Sequence, residues 1–270
     1  MRMIGVIGLS IILAFSFVSV LSPILIEILP KNKSEFPYAP PSSKNLLGTN
    51  DIGEDVLVEL FEGTRTSLII GFMAAVISTV VGVLVGTISG FYGGKIDEVI
   101  GLLVDVFLVI PALPLMIVLA AYLEPSIWNV ILVIGLLWWP GTARVVRVRA
   151  MQIRESGFVE TLRCLGASNT YIILRHIIPN TTEVALAKFI LSVAHAILLE
   201  SGLSFIGLGD PEHKSWGMML HYAMKRGALL GDAWWCFVPA GFCISATAMG
   251  FMLLGMTIEE RYERRGVGVE

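Results

Sequence analysis

The chain has 270 residues with a formal net charge of −3; 55% of them are hydrophobic and 15% charged. Its mean hydropathy is +0.78, and a soluble domain, where about 45–50% of residues are apolar, would have to hide several charge-free runs longer than about 18 residues. Composition therefore excludes an ordinary globular enzyme and names lipid as the solvent; the nearly balanced charge gives no reason to expect a nucleic-acid partner.

Residues 3–29 form the first expected span, interrupted by Pro23 and carrying Glu27 at its far end. A signal peptide is the rival reading, but its apolar core would run only about 7–15 residues and end in a small-residue cleavage site, so an uncleaved anchor is expected. Residues 30–64 are polar, with Pro30, Pro37, Pro40, Pro41 and three lysines, and read as an extended external segment. The second span, residues 66–92, carries a small-residue stripe every four positions through Ser78, Gly82, Gly86 and Gly90. Small residues let backbones approach so that dispersion contacts hold helices together in lipid. The stripe serves either a crossing with another subunit or packing inside this chain.

Residues 99–123 are the third span, with Asp105, Pro111 and Pro114; the prolines predict a kinked helix. The fourth span, residues 127–146, has Trp138, Trp139, Pro140 and Gly141 toward its inner end. A loop over residues 147–182 follows, with five arginines and no lysine, and is read as cytoplasmic. The fifth span, residues 185–206, contains Lys188, His195 and Glu200; residues 207–232 are external; the sixth span is residues 233–258, with Trp234 and Trp235 as expected interface anchors. Six spans put both termini on one side, and the arginine bias makes that side the cytoplasm, in a multi-pass protein of the cell membrane.

Ionisable groups in hydrocarbon cost about 2.5–3.5 kcal/mol even on the lenient insertion scale, so Asp105, His195 and Glu200 should face a pore, a partner or each other. Glu200 and His195 are candidates for a translocation pathway, with a hydrogen-bonding structural role as the competing reading for Glu200. Asp105 is expected to pair with Arg144 as architecture. Cys236 and Cys243 lie seven apart on one expected helix, roughly 10 Å and too far to bridge. No metal site is expected: His213 and His221 read as scattered surface histidines, and no His-Glu-x-x-His spacing occurs. No phosphate-binding loop occurs either, since Gly93-Gly94-Lys95 is followed by Ile96. The chain carries no nucleotide site of its own.

Within the cytoplasmic loop, the stretch GFVETLRCLGASNTYIILRHIIPN is too patterned for a linker. Phe158, Leu162 and Leu165 share one face of a short helix at i, i+4 and i+7, Gly166 ends it, and a second run from Tyr171 stops at Pro179. The competing reading is a solvated basic loop that only sets topology. Glu160, Gly166 six residues on, and the Ile178-Pro179 ending resemble the "EAA" loop of ABC-importer permeases, with Thr161 and Leu162 in place of the alanines. Arg175-His176-Ile177-Ile178-Pro179-Asn180 is similar to the ending in peptide-type permeases. The segment LLGTNDIGEDVLVELFEGTRTSL resembles C-type subunits of that group, with Asn50 and Glu54 where Asp and Arg are usual. SFIGLGD followed by SWGMML adds to the likeness.

The resemblance implies an all-α integral membrane protein of six transmembrane helices, with a type I ABC importer permease fold and a cytoplasmic coupling helix. It implies Glu160, Leu162, Leu165, Gly166, Ala167 and Pro179 as the residues that couple to an ATPase. The implied partners are a second related permease, two cytoplasmic ABC ATPases that hold the ATP and Mg, and an external substrate-binding protein. Di- or oligopeptides are the implied cargo, with nickel or oligosaccharides in relatives. The alternative is a proton-coupled secondary transporter using His195 and Glu200.

Overall fold

A computed structural model describes residues 2–28 and 36–266. The end of the first expected span, the first part of the external segment, and residues 267–270 lie outside the described residues. Among the described residues the secondary structure is helical apart from one antiparallel bridge between Thr49 and Asp55. Five helical runs are long and apolar enough to cross a membrane, and a bent helix pair makes a sixth crossing if it counts as one span.

Helix α1 (Arg2–Ile28) continues through Pro23. It leans on the last helix, where a Cβ on Gly8 would sit 2.7 Å from the Gly250 carbonyl. Helix α2 (Val56–Tyr92) has 37 residues, or roughly 55 Å at 1.5 Å per residue, so it outruns a hydrocarbon core of about 30 Å. Its first turn thus begins inside the stretch expected to be extended and external. The cause is local: Asp55, in extended geometry, accepts from the Leu57 N–H at 2.8 Å and caps the helix. Gly93, at φ +66°, ends it.

The expected third span is not one kinked helix. It is helix α3 (Gly94–Val109) and helix α4 (Ala112–Tyr122), bent by 84°. Pro111 caps α4 and Pro114 sits in its first turn, where a missing N–H is tolerated. The two prolines together remove too much of the hydrogen-bond ladder for one continuous helix.

Helix α5 (Ile127–Arg154) runs eight residues past the expected end of the fourth span. Ser126 and, from a distant loop, Asp210 accept its first N–H groups. Helices α2 and α5 pack along the small-residue stripe. Built Cβ atoms on Gly82, Gly86 and Gly90 would meet Thr142, the Ala143 carbonyl and the Arg147 carbonyl respectively. The stripe therefore serves a crossing inside this chain.

Three short pieces follow: helix α6 (Gly157–Cys164), helix α7 (Asn169–Ile172) and a π-turn (Ile173–Ile177) that opens directly into helix α8 (Ile178–Phe205). The helical run expected to stop at Pro179 instead passes through it. Pro179 has no N–H for the Arg175 carbonyl and its ring crowds that oxygen. The turn before it widens, and the Ile178 N–H reaches back five residues to the Ile173 carbonyl.

The stretch after α8, expected to be external, holds helix α9 (Trp216–Lys225), with Trp216 fully buried. A single 3₁₀ turn, Trp234–Cys236, leads into helix α10 (Val238–Gly266). The two tryptophans there divide. Trp234 is exposed, whereas Trp235 turns inward and donates from Nε1 to the Thr49 carbonyl at 3.1 Å. The cysteines at 164, 236 and 243 are free.

Candidate functional site

Helix α6 has one buried residue, Val159, which joins Phe91, Ala150, Ile153, Ile172 and Ile177 in an apolar cluster, with Leu162 and Ala167 against it. The helix thus sits on the ends of α2, α5 and the π-turn. Its inward face is Val159 and Leu162. Phe158 and Leu165, expected on the same face as Leu162, are 46% and 78% exposed. The three positions share an arc of only about 60°, but the helix is rolled so that Val159, on one side of that arc, meets the cluster, and Leu165 follows the last helical residue as its cap. Glu160 lies on the open side.

Gly166 ends α6 with a Schellman turn. Its N–H bonds the Arg163 carbonyl and the Ala167 N–H bonds the Leu162 carbonyl, each at 3.0 Å. Gly166 has φ +81°, and a Cβ there would meet nothing. The requirement for glycine is therefore conformational. Ala167 packs back onto Leu162 in the cluster. The His176 ring lies between Phe158 and Tyr171, with centroids 6.0 and 5.5 Å away. Pro179 sets the π-turn that carries this group. The outcome is a short helix pinned from below, presenting Phe158, Leu165, Tyr171 and Leu174 outward.

The other candidates do not gather around it. Glu200 is wholly enclosed. Ser204 Oγ donates to its Oε1 at 2.6 Å, and Ser67 and Ser201 approach Oε2 at 3.5 Å. Ser67 also accepts the Trp216 N–H at 3.1 Å. The carboxyl therefore links α8, α2 and the start of α9, the geometry of the hydrogen-bonding role that competes with the pathway role. A small neighbour such as Ser201 reads from sequence as open room, but helix α9 fills it. Glu200→Ala should strand these hydroxyls at a cost of about 1–3 kcal/mol, seen as a lower unfolding temperature in detergent. Glu200→Gln should keep both fold and transport; loss of transport in a well-folded Gln variant would restore the pathway role.

His195 faces elsewhere. Its Nδ1 lies 2.8 Å from the Leu191 carbonyl, and its ring is 5.2 Å from that of Trp138. It borders an open groove of about 460 Å³ between the α3–α4 break, the middle of α5 and α8. Lys188 borders the same groove, with Nζ 2.8 Å from Glu259 of α10.

Asp105 and Arg144 both border a small recess beside Gly86 but form no ion pair. The pair forms nearer the start of α3: Arg147 grips Asp97 through Nε at 2.5 Å and Nη2 at 2.6 Å, and Ser89 Oγ donates to the same carboxylate. The close α2–α5 crossing brings Arg147, rather than Arg144, against α3. Bidentate geometry makes this a stronger tie than an ordinary surface pair.

A second ionic cluster, unforeseen from sequence, ties the start of α2 to the stretch before α9. Lys214 reaches Glu54 at 2.6 Å and Glu59 at 2.7 Å. Burial alone would lower the Lys214 pKa, but the Glu59 carboxylate and the hydrogen bonds to both acids hold it above its ordinary value. Asn50 donates to Glu59 and accepts the Ile52 and Glu54 N–H groups. The two departures in the external motif, Asn50 and Glu54, thus belong to one network. The only signal in the sequence was Glu54 itself, an acid where a base is usual.

A model of the family described as "binding-protein-dependent transport system inner membrane component" matches residues 82–265. A Brucella suis biovar 1 protein provisionally named a peptide permease is 36% identical over 214 residues, covering 78% of this chain and 71% of its own. A second protein of that organism, provisionally named a peptide transport system permease, is 33% identical over 251 residues, or 92% of this chain and 83% of its own. The oligopeptide transport system permease protein OppC of Bacillus subtilis is 34% identical over 217 residues, 80% of this chain and 70% of its own. The family match spans the α2–α5 crossing, the α6 turn and the helices that hold them, and the chain therefore belongs to the binding-protein-dependent transport system inner membrane components, as an all-helical multi-pass permease of the type I importer architecture.

Proposed function

We propose that this chain is a permease subunit of an ATP-driven importer of di- or oligopeptides, forming the translocation pathway together with a second, related permease. Two cytoplasmic ABC ATPases hold the ATP and Mg, an external binding protein delivers the cargo, and both termini of this chain face the cytoplasm. The observation that carries this reading is α6. An eight-residue helix is too short to be stable alone, yet here its inner face is pinned while Phe158 and Leu165 stand out beyond the span ends. That is the shape of a knob for a cleft in another protein, and only the tight turn at Gly166 separates it from α7 and the π-turn, which run straight into α8. The peptide cargo is supported by the names of the relatives, which are peptide and oligopeptide permeases.

The proton-coupled alternative loses its main support, because Glu200 is enclosed among serines while His195 borders a separate groove. The test is uptake by the complete transporter in proteoliposomes. Uptake should require ATP on the ATPase side and survive a protonophore; uptake that collapses with the proton gradient at full ATP would reverse the assignment.

A further inference from the structure

The groove at the α3–α4 break is lined by two residues whose carbonyls face prolines four positions on in sequence, and by no acid. Phe107 and Ile110, both on its wall, stand four residues before Pro111 and Pro114. A proline has no N–H to give, so neither carbonyl has its helical donor. Within the hydrocarbon layer such backbone is tolerated only where it is buried in protein or lines a wet cavity. Trp138 and His195 add a paired aromatic wall, with rings 5.2 Å apart and tilted by 31°. Lys188 is engaged by Glu259, and no carboxylate lines the groove. Its volume of about 460 Å³ falls in the range of about 300–1,000 Å³ usual for small-molecule sites.

One residue sets its depth. Gly141, on the α5 side, is exposed, and a Cβ built there meets nothing within 4 Å. The contrast with Gly82, Gly86 and Gly90, which are jammed against α5, means that Gly141 is not a packing glycine. It leaves the groove open.

We infer that this groove is the part of the pathway wall, contributed by this chain, that receives the cargo peptide: the Phe107 and Ile110 carbonyls accept its amide N–H groups and the Trp138–His195 pair lies against its side chains. The inference rests on the importer reading above and adds the place on this chain where the cargo is met and the residue that limits its size. The cargo is recognised by amide donors and apolar contact; a bare metal cation finds no carboxylate on this wall, and the one cation there, Lys188, is already paired with Glu259. Gly141 is then a specificity-determining position that limits the bulk that passes.

The test uses the whole transporter with its binding protein in proteoliposomes, and radiolabelled trialanine as probe. Gly141→Leu should leave complex yield unchanged and lower trialanine uptake at least tenfold, with Gly141→Ala in between. A tripeptide carrying benzoylphenylalanine, photolysed during turnover, should label residues 137–142 or 188–195 of this chain. Wild-type complex that imports trialanine, with Gly141→Leu importing it equally well, overturns the groove assignment and leaves the importer reading standing. Labelling confined to other segments does the same, and it decides the matter should Gly141→Leu fail to assemble. Wild-type complex that imports no peptide under ATP overturns the cargo reading itself.

Discussion

Gly166→Val is expected to reduce ATP-driven uptake roughly 10–30-fold while the chain still inserts and assembles. Gly166 holds φ +81° at the end of α6, a region that costs a β-branched residue on the order of 1–3 kcal/mol. The surroundings cannot relieve that strain, because it lies in the residue's own backbone; a Cβ there has open space around it. Losing the turn breaks the Gly166–Arg163 and Ala167–Leu162 hydrogen bonds and frees Ala167 from the cluster under α6. A penalty of about 2 kcal/mol shifts a two-state population about 30-fold, which sets the size of the effect. Gly166→Asn is the control, since Asn tolerates the left-handed region. Asn should recover most of the uptake and of the cargo-stimulated ATP hydrolysis. Equal loss with Val and Asn would move the requirement from the turn to the open space above it.

Gly86→Leu should fail earlier, at folding. A Cβ at Gly86 lies 2.5 Å from the Ala143 carbonyl oxygen and 3.0 Å from the Arg147 N. Both are backbone atoms of α5 and cannot swing aside, so α2 and α5 must separate. That separation also draws Arg147 off Asp97, whose grip is bidentate. Overpacking of this kind costs about 1–3 kcal/mol and sometimes more, against a total stability of about 5–15 kcal/mol. Purified complex should fall severalfold in yield and elute heterogeneously on size exclusion. Val85→Leu, one position away and packed beside Val104 and Trp139, should be tolerated. Equal outcomes at the two positions would mean that the crossing is looser than its geometry.

How far the site was legible differs from residue to residue. Glycine at 166 and proline at 179 act through their own covalent structure, and both mattered where the sequence put them. Pro179 nonetheless did something other than stop a helix, because one missing N–H can be absorbed by a wider turn, whereas Pro111 and Pro114 together could not be absorbed and split a span. Phe158, Leu162 and Leu165 had the right period but not the right face, since period alone does not say which side meets α2 and α5.

By itself the sequence determined the solvent and the class of fold. Charge-free runs, prolines, glycines and arginine clusters act locally or through water and lipid, so six hydrophobic stretches and a short turn-bounded helix between them could be read without a neighbour in view. The tertiary structure alone decided pairings. Which acid meets Arg147, that Glu200 is sealed by serines of α8 and α2, that Lys214 clamps Glu54 and Glu59, and that Gly141 opens a groove while Gly86 closes a crossing all depend on distances between residues remote in the chain. A side chain's chemistry is local, but its partner is set by how helices cross, and hydropathy carries no record of the crossing.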